Sequence, residues 1–300
     1  MADFKVTFLG TSSATPTKES VVATTSVQFA GEIFLVDCAE GAQQRMMQSK
    51  TSMFKVKNLA ISHWHGDHFF GLPGFLNTLN LLGRREELNL WVPSKAVAKK
   101  FVDFMGLSVL GFKVSLHELR EGVVYEKDNF TVSAVRLKHS IPSFGFVFTQ
   151  SKGRKFNKQK AIALGVPEGP LFSALQKGEA VKLEGGGKVK PSQVLEGQER
   201  VKKVAVIADT VPIPSLAARL RDCDLLVHET TFSEKEKERA RKTKHSTAVE
   251  VAKLAKKARA GQLIGTHVSA RYDDRSFLEK EMQSVFANSR IARDLESVEV

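Results

Sequence analysis

Cysteine is scarce in this sequence. Among its 300 residues only Cys38 and Cys223 are cysteines, and they are far apart along the chain. Two such residues supply neither a disulfide framework nor a cysteine-rich metal motif. Because disulfides form mainly in oxidising compartments, this composition is typical of a protein from a reducing one. We therefore predict a cytoplasmic location.

Long apolar stretches are also missing. The first residues, Met1 to Leu9, include Asp3 and Lys5 and lack the apolar segment of a secretory signal. No uninterrupted apolar run in the sequence approaches the roughly 18 residues that a membrane span requires. The sequence therefore predicts an intracellular protein with no membrane partner.

Acidic residues are outnumbered, 33 against 45 lysines and arginines, which gives a formal net charge of +12 and a pI near 9.6. This balance fits a polyanionic partner such as nucleic acid, although a basic surface kept for solubility has the same composition. Residues 151–203 hold 12 of the basic residues against 5 glutamates, together with 8 of the 21 glycines. Two interpretations of this stretch stay open: a disordered surface insertion, or a basic arm that binds nucleic acid.

Apolar periodicity predicts short strands interleaved with helices. The clearest helix begins at Thr247, because Thr247 and Glu250 have the spacing of a capping box. Another helix is predicted beyond Pro73, and its buried face comprises Phe75, Leu76, Leu79 and Leu82. Predicted strands include 88–92, 130–135, 144–149, 204–207 and 225–227. This mixture favours a layered α/β fold, which we predict to be a single domain over 1–300 with 151–203 as an inserted arm.

Four side chains of metal-ligand type fall within six positions: His63, His65, Asp67 and His68. Imidazole and carboxylate groups together suit zinc or a similar ion, and four of them on one loop can reach two adjacent metals. A lone histidine is more often a hydrogen-bonded core residue, but a cluster with this spacing argues against that interpretation. The segment predicts a metal-dependent hydrolase with a two-metal site.

A two-metal site needs more ligands than one loop supplies. His139, Asp209 and His267 each follow a predicted apolar strand. Loops converge at the carboxyl ends of strands in α/β proteins, and functional residues are concentrated there. Taken singly, each of the three is more often an ordinary polar residue than a ligand. Together with the cluster, they supply the number of ligands that two metals need.

The motif H-x-H-x-D-H resembles the signature of the metallo-β-lactamase superfamily, and its continuation over 66–74 is similar to the ribonuclease Z (tRNase Z) branch. Similar segments follow in order along nearly the whole chain, at 8–12, 37–44, 139–146, 165–172, 209–210, 228–232, 245–247 and 266–272. The sequence departs from the family pattern at Lys18, Glu19, Ala39 and Trp64. None of these is an expected ligand, so the departures concern substrate contacts near the first loops rather than catalysis.

The resemblance implies a four-layer αββα sandwich with two zinc ions, or another divalent metal, at one edge of the sheets in each subunit. It assigns His63, His65 and His139 to one metal, Asp67, His68 and His267 to the other, and Asp209 as the bridge. It also implies that Asp67 is the proton acceptor that orients the attacking water, and that His245 protonates the leaving 3′ oxygen, with Glu229 holding His245 in the correct tautomer. Without the resemblance, His245 could be an exposed residue before a helix cap.

The function that the resemblance implies is a zinc-dependent endoribonuclease. It would remove the 3′ trailer from precursor tRNA, leaving a 3′ hydroxyl on the tRNA and a 5′ phosphate on the trailer. The enzyme would act as a homodimer, with the basic arm binding the tRNA body. Two alternatives stay open: a general phosphodiesterase, exoribonuclease or other hydrolase of the same superfamily, and a non-catalytic RNA-binding protein that retains only a relict site.

Overall fold

The computed structural model describes residues 4–49, 51–106, 109–197 and 200–300. The strands are β1 (Lys5–Gly10), β2 (Ser12–Ser13), β3 (Thr24–Phe29), β4 (Glu32–Val36), β5 (Val56–Ala60), β6 (Leu88–Val92), β7 (Val114–Glu118), β8 (Gly122–Lys127), β9 (Phe130–Leu137), β10 (Ser143–Lys152), β11 (Lys155–Phe156), β12 (Val181–Lys182), β13 (Lys188–Val189), β14 (Leu195–Glu196), β15 (Arg200–Ile207), β16 (Leu225–Glu229), β17 (Gln262–Thr266), β18 (Val268–Ser269), β19 (Ser289–Ile291) and β20 (Ser297–Glu299). The helices are α1 (Ala42–Gln48), α2 (Gly66–Phe69), α3 (Leu72–Leu81), α4 (Lys95–Phe104), α5 (Lys158–Ala163), α6 (Pro170–Gln176), α7 (Pro191–Val194), α8 (Leu216–Arg219), α9 (Lys237–Thr243), α10 (Ala248–Ala258) and α11 (Ser276–Gln283). Within the described ranges, no helix is long and apolar enough to cross a bilayer, and the cytoplasmic location stays a prediction.

One seven-stranded sheet has the order β20-β1-β3-β4-β5-β6-β7. Neighbours from β20 to β4 pair antiparallel, and those from β4 to β7 pair parallel. The turn between β3 and β4 has positive φ at Ala30 (47°) and Gly31 (79°), as a tight two-residue hairpin turn requires. Apolar side chains of α1, α3 and α4 pack against β4, β5 and β6 in one core, so these helices cover one face of the sheet.

A second seven-stranded sheet has the order β19-β17-β16-β15-β10-β9-β8. Its strands β15, β16, β17 and β19 run parallel, so their carboxyl ends lie along one edge. Helices α8, α10 and α11 cover its outer face. Helix α10 begins with the predicted capping box, in which Thr247 accepts a hydrogen bond from the Glu250 backbone N–H.

The two sheets face each other through aromatic side chains. The ring of Phe34 on β4 lies 5.9 Å from that of Phe146 and 5.3 Å from that of Phe148, both on β10. Tilted and edge-on ring contacts at these distances add to the stability that burial of the rings supplies. The layers are therefore helix, sheet, sheet, helix, and the predicted αββα fold is confirmed.

A second compact unit consists of residues 127–130 and 149–202. Its own small core contains Ala161, Val166, Leu175, Val181, Val189 and Val194. Two short sheets, β11 with β14 and β12 with β13, flank helices α5, α6 and α7. The interpretation of this stretch as an arm inserted into one domain stays a prediction.

The predicted strands are confirmed as β6, β9, β10, β15 and β16, and all but β6 are longer than predicted. The helix predicted beyond Pro73 is α3, but the prediction of Leu82 on its buried face was wrong. Helix α3 ends at Leu81, and the positive φ of Gly83 (80°) turns the chain away. Leu82 therefore caps the helix and is 57% exposed.

Candidate metal centre

Histidine and aspartate side chains from both sheets meet where their strands end. Beyond β5, the chain passes through His63 and His65 into the short helix α2, which carries Asp67 and His68. On the second sheet, three further residues follow β9, β15 and β17. The structure brings together all seven predicted metal ligands: His63, His65, Asp67, His68, His139, Asp209 and His267.

Asp209 lies between two groups of ligand atoms. Its Oδ2 is 3.6 Å from His63 Nε2 and 3.5 Å from His68 Nε2, and its Oδ1 is 3.4 Å from His267 Nε2. In one group, ligand atoms of His63, His65, His139 and Asp209 lie within 4.8 Å of one another, and the same holds for Asp67, His68 and His267 in the other. Asp209 therefore borders both groups, as a bridging carboxylate would.

The cluster contains buried polar atoms that no protein group satisfies. His68 Nε2, Asp209 Oδ1 and His267 Nε2 are buried and have no hydrogen-bond partner. Buried polar atoms are nearly always hydrogen-bonded or paired with an ion, so three such atoms in one cluster need a further partner. Imidazole nitrogens and carboxylate oxygens are the donors that zinc and related divalent ions take. These residues thus fit a divalent metal centre.

Burial and neighbouring charges set the protonation of the cluster. Burial alone would raise the pKa of the Asp209 carboxyl, but the imidazoles of His267 and His68 hold it well below its usual range. Burial lowers the pKa of His63, which favours the neutral imidazole that a metal binds. His68 differs: burial opposes its charge, yet Asp209 and Asp37 raise its pKa, so a metal would compete with a proton there.

Asp37, which follows β4, orients the first ligand loop. Its Oδ1 accepts a hydrogen bond from Ser62 N at 2.7 Å, and its Oδ2 lies 2.8 Å from His68 Nδ1. The second contact fixes the His68 ring so that Nε2 faces the cluster, as carboxylates behind metal-bound histidines commonly do. Sequence reasoning treated Asp37 only as part of a turn. Its positive φ of 65° shows that the turn is sharply bent.

The backbone around Cys38 holds helix α2 in place. Cys38 N donates to His68 O at 2.8 Å, and Gly71 N donates to Cys38 O at 2.9 Å. A Cβ at Gly71 would lie 1.9 Å from Ala39 O, so only glycine fits there. Ala39, where the sequence departs from the family pattern, is buried and donates its N–H to Thr24 Oγ1. The departure therefore leaves the ligand loop intact.

The first loop of the chain positions Asp67. Ala14 N donates to Asp67 Oδ2 at 3.0 Å, and the same oxygen lies 3.4 Å from His68 Nε2 and 3.5 Å from His267 Nε2. Although burial opposes ionisation, these two histidines lower the pKa of Asp67 far below its ordinary value. The carboxylate is therefore ionised and directed into the second ligand group.

His245 and Glu229 form a pair beside the cluster. Glu229 is fully buried, and its Oε1 accepts from Ser246 N at 2.8 Å and lies 3.4 Å from His245 Nδ1. Burial opposes a charge on His245, but the Glu229 carboxylate raises the pKa of the ring to about 9. The contact leaves Nε2 as the ring nitrogen free to donate elsewhere.

Sequence reasoning gave Thr231 no role, yet its hydroxyl connects three site residues. Thr231 Oγ1 donates to Glu229 Oε2 at 2.7 Å and lies 3.3 Å from His245 Nδ1 and 3.1 Å from His267 Nδ1. The available signal was its place within segment 228–232, but a threonine carries no chemistry specific to metal sites. Thr231 therefore fixes the positions of His245, Glu229 and His267 relative to one another.

Two further histidines belong neither to the cluster nor to the His245–Glu229 pair. His117 on β7 stacks on Trp91 with ring centroids 4.2 Å apart and bonds to Asn89. His228 is buried at the end of β16, with Nδ1 2.6 Å from Glu229 O. Neither ring belongs to the ligand groups found in the described part of the chain.

Comparisons with known proteins give one consistent picture. Ribonuclease Z of Methanosarcina acetivorans is 39% identical over 302 residues, covering 99% of this chain and 98% of that protein. Ribonuclease Z of Myxococcus xanthus is 40% identical over 277 residues, covering 91% and 89%. The short form of human tRNase Z matches with a TM-score of 0.70 at 24% identity, and the metallo-β-lactamase fold protein YhfI from Bacillus subtilis with 0.71 at 17%, each over 99% of both chains. The sequence model of a family described as "Anti-Pycsar protein Apyc1" matches residues 4–159.

The chain has the metallo-β-lactamase fold, with imidazole and carboxylate side chains that could hold metal ions grouped at the edge of its sheets. The chain belongs to the ribonuclease Z family, and through residues 4–159 also to the family that the Apyc1 model describes. It is accordingly a nuclease, an enzyme that hydrolyses phosphodiester bonds.

Proposed function

We propose that this chain is a zinc-dependent endoribonuclease that removes the 3′ trailer from precursor tRNA. The tRNA would keep a 3′ hydroxyl and the trailer a 5′ phosphate. The observation that carries the proposal is the position of Asp209 between two ligand groups, beside the His245–Glu229 pair, in a chain of the ribonuclease Z family. A site of this kind suits the hydrolysis of phosphodiesters, because two metals can stabilise the charge that develops on both the attacking and the leaving oxygen.

Two zinc ions per subunit, or other divalent ions, would be held by the two groups. His63, His65 and His139 would bind one ion, Asp67, His68 and His267 the other, with Asp209 between them. Bound there, the metals would make a water nucleophilic near neutral pH and stabilise the charge of the phosphodiester. Asp67, fixed by Ala14 N, would orient that water by accepting its hydrogen bond.

His245 would act as general acid. Its Nδ1 faces Glu229, so Nε2 would carry the proton that is given to O3′ as the P–O3′ bond breaks. The oxygen of water would form the new bond to phosphorus and its proton would pass to Asp67. The phosphorus would remain on the trailer as its 5′ phosphate. Glu229 is a positioning residue, because it contacts His245 and the backbone of Ser246 and Thr210 but no reacting atom.

The proposal is tested with a 3′-extended precursor tRNA, incubated with and without a chelator, and with both ends of the products mapped. We expect a single cut near the base of the acceptor stem that the chelator abolishes. Stepwise shortening would instead identify an exoribonuclease, and hydrolysis of small diesters alone a general phosphodiesterase. RNA binding without any cleavage would identify a non-catalytic RNA-binding protein.

The basic unit formed by 149–202 would bind the body of the tRNA. Its lysines Lys155, Lys177 and Lys188 make no ion pair with described residues, so they are available to phosphates. We expect deletion of 151–200 to weaken precursor-tRNA binding strongly while sparing hydrolysis of a small phosphodiester. Reversing these three charges to glutamate should raise the KM for precursor tRNA about tenfold at moderate salt, because phosphate contacts dominate affinity.

The matched control is reversal of Lys95, Lys99 and Lys100, which lie on α4 of the other unit. KM for precursor tRNA should then stay within about twofold of the parent value, as surface charges away from the RNA contribute little. An equal loss of both tRNA and small-substrate activity on deletion of 151–200 would contradict a role restricted to tRNA binding.

A homodimer would use the exposed apolar surface of α1 and α3. These helices are joined by the Thr78–Gln43 hydrogen bond. They expose Met47 (70%) and Leu81 (85%), and Leu82 at the cap of α3 is 57% exposed. Exposed apolar side chains that share one surface are typical of protein interfaces. We expect sedimentation at twice the chain mass of 33.1 kDa, and a monomer after Met47→Asp with Leu81→Asp.

Phe104→Asp is the control for the dimer, because Phe104 is 86% exposed but lies at the end of α4. It should leave the sedimentation coefficient unchanged. A parent protein that sediments at one chain mass at micromolar concentration would refute the dimer.

A further inference from the structure

A cavity of about 300 Å³ lies on the outer face of the second sheet. Its walls are apolar, formed by Pro212, Ile213 and Pro214 from the loop after β15 and by Val251 and Leu254 from α10. This volume is at the lower end of the range for small-ligand pockets and suits a single base or nucleotide. None of these five side chains belongs to the metal centre.

The cavity adjoins the catalytic machinery through the backbone. Ser246, which follows His245, lines it and donates its backbone N–H to Glu229 Oε1 at 2.8 Å. Ser246 Oγ donates to Thr210 O, and Thr210 directly follows Asp209. One lining residue, Ser246, is therefore the sequence neighbour of the proposed acid and is hydrogen-bonded to the sequence neighbour of Asp209.

His228 supplies a hydrogen-bonding group inside the cavity. It is 1% exposed and lines the cavity, and its Nδ1 lies 2.6 Å from Glu229 O. A carbonyl oxygen only accepts, so Nδ1 carries the proton and Nε2 of the neutral ring is an acceptor. Burial lowers the pKa of His228, which keeps the ring neutral. Nε2 has no partner among the described residues.

The rim of the cavity is positively charged. Lys253 and Lys257 are exposed on successive turns of α10, and neither forms an ion pair within the described ranges. Glu250 also lines the cavity, but it is hydrogen-bonded to Thr247 and lies 3.5 Å from Lys237 Nζ. Two exposed ammonium groups beside an apolar slot match a phosphate attached to a flat, partly apolar ring.

We propose that this cavity is a subsite for one unstacked nucleotide of the RNA substrate, adjacent to the scissile phosphate. Its base occupies the space between the 212–214 loop and Leu254 and donates an N–H to His228 Nε2. Its phosphate binds Lys253 and Lys257. This inference rests on the proposed function, because it takes RNA as the substrate.

The test uses a double variant that carries both Lys253→Ala and Lys257→Ala. Its control is the single variant Lys256→Ala. Lys256 is exposed on the same helix but does not line the cavity. Its substitution therefore removes a like charge without changing the subsite. Thermal unfolding midpoints establish that all proteins fold equally well. KM and kcat are measured with a 3′-extended precursor tRNA, and Kd by fluorescence anisotropy in a His245→Ala background, where cleavage is slow.

We expect the double variant to raise KM and Kd about tenfold. The plot of log affinity against log salt should become less steep, its slope falling in magnitude by about 1.4, because two phosphate contacts with single-stranded RNA are lost. Lys256→Ala should change neither value by more than about twofold. Equal KM, Kd and salt slope for the double variant and Lys256→Ala would overturn the subsite, even if the parent cuts precursor tRNA at one position. A parent that cuts no precursor would refute the proposed function, while the anisotropy would still decide the subsite.

The base contact is tested by replacing the nucleotides that flank the cut with abasic residues, one at a time. At one position the abasic substitution should raise the Kd of the parent about fivefold, in line with the loss of one base contact. The variant His228→Phe keeps an apolar ring but lacks the acceptor, so its Kd should be nearly insensitive to the same substitution. Equal sensitivity of both proteins at every position would show that no base reaches His228.

Discussion

Replacing Asp209 by asparagine is expected to lower precursor-tRNA cleavage about a thousandfold or more and to reduce the zinc content of the purified protein. The substitution keeps the size of the side chain but removes its charge. Asp209 Oδ2 lies 3.6 Å from His63 Nε2 and Oδ1 lies 3.4 Å from His267 Nε2, so both ligand groups lose their shared carboxylate. Metal-ion stabilisation of charge contributes several kcal/mol, and each 1.4 kcal/mol or so corresponds to a tenfold change in rate.

The control for this substitution is Asp222→Asn. Asp222 is exposed and paired with Arg259 at 2.7 Å, and it precedes β16, so it lies at the amino ends of the parallel strands rather than at the carboxyl ends that the predicted ligands follow. An exposed ion pair contributes roughly 0–1 kcal/mol, so activity and metal content should match those of the parent. If Asp209→Asn kept its full metal content and more than a tenth of parent activity, the bridging role would be excluded.

Replacing His245 by alanine is expected to lower kcat for precursor tRNA about a hundredfold to ten-thousandfold, the usual contribution of a general acid. KM should change little, because the ring donates a proton rather than anchoring the RNA. The 3′ oxygen of a ribose is a poor leaving group and needs that proton. A nitrophenyl phosphodiester has a good leaving group, so its hydrolysis should be far less sensitive to His245→Ala.

This dependence on the leaving group separates an acid from a structural residue. If His245 only stabilised the site, both substrates would lose activity equally, and the assignment would fail. Glu229→Gln should lie between the parent and His245→Ala, because Glu229 orients the ring through Nδ1 at 3.4 Å. His117→Ala is the matched control: the ring is stacked on Trp91, away from the cluster, and both activities should be retained.

The sequence predicted the layers of the fold better than its connections. Runs such as 88–92 and 225–227 are apolar enough to be buried strands, and the Thr247–Glu250 capping box marks the start of α10 because its signal is entirely local. The order of strands within a sheet depends on pairings between distant segments, for example β1 with β20. The end of α3 was misjudged because Leu82 continues the apolar periodicity past the point where Gly83 reverses the chain.

The same difference between local and distant signals explains which site residues could be predicted from the sequence. His63, His65, Asp67 and His68 were recognisable because four ligand-type residues in six positions are rarely structural. Asp37 and Thr231 were overlooked because their roles consist of hydrogen bonds to residues up to 36 positions away. Their side chains have no distinctive spacing, so only the folded chain shows that they fix the orientation of the ligands.

The pairing of the first loop with the segment after β17 has a consequence for biosynthesis. Ser12 and Ser13 of β2 pair with Val268 and Ser269 of β18, next to His267. A polypeptide released by a ribosome after β16 would contain six of the seven ligand candidates but neither His267 nor the strand that secures the first loop. Domains fold as their segments emerge from the amino terminus. A translation product that ends before His267 would therefore lack one predicted ligand and the strand that pairs with the first loop.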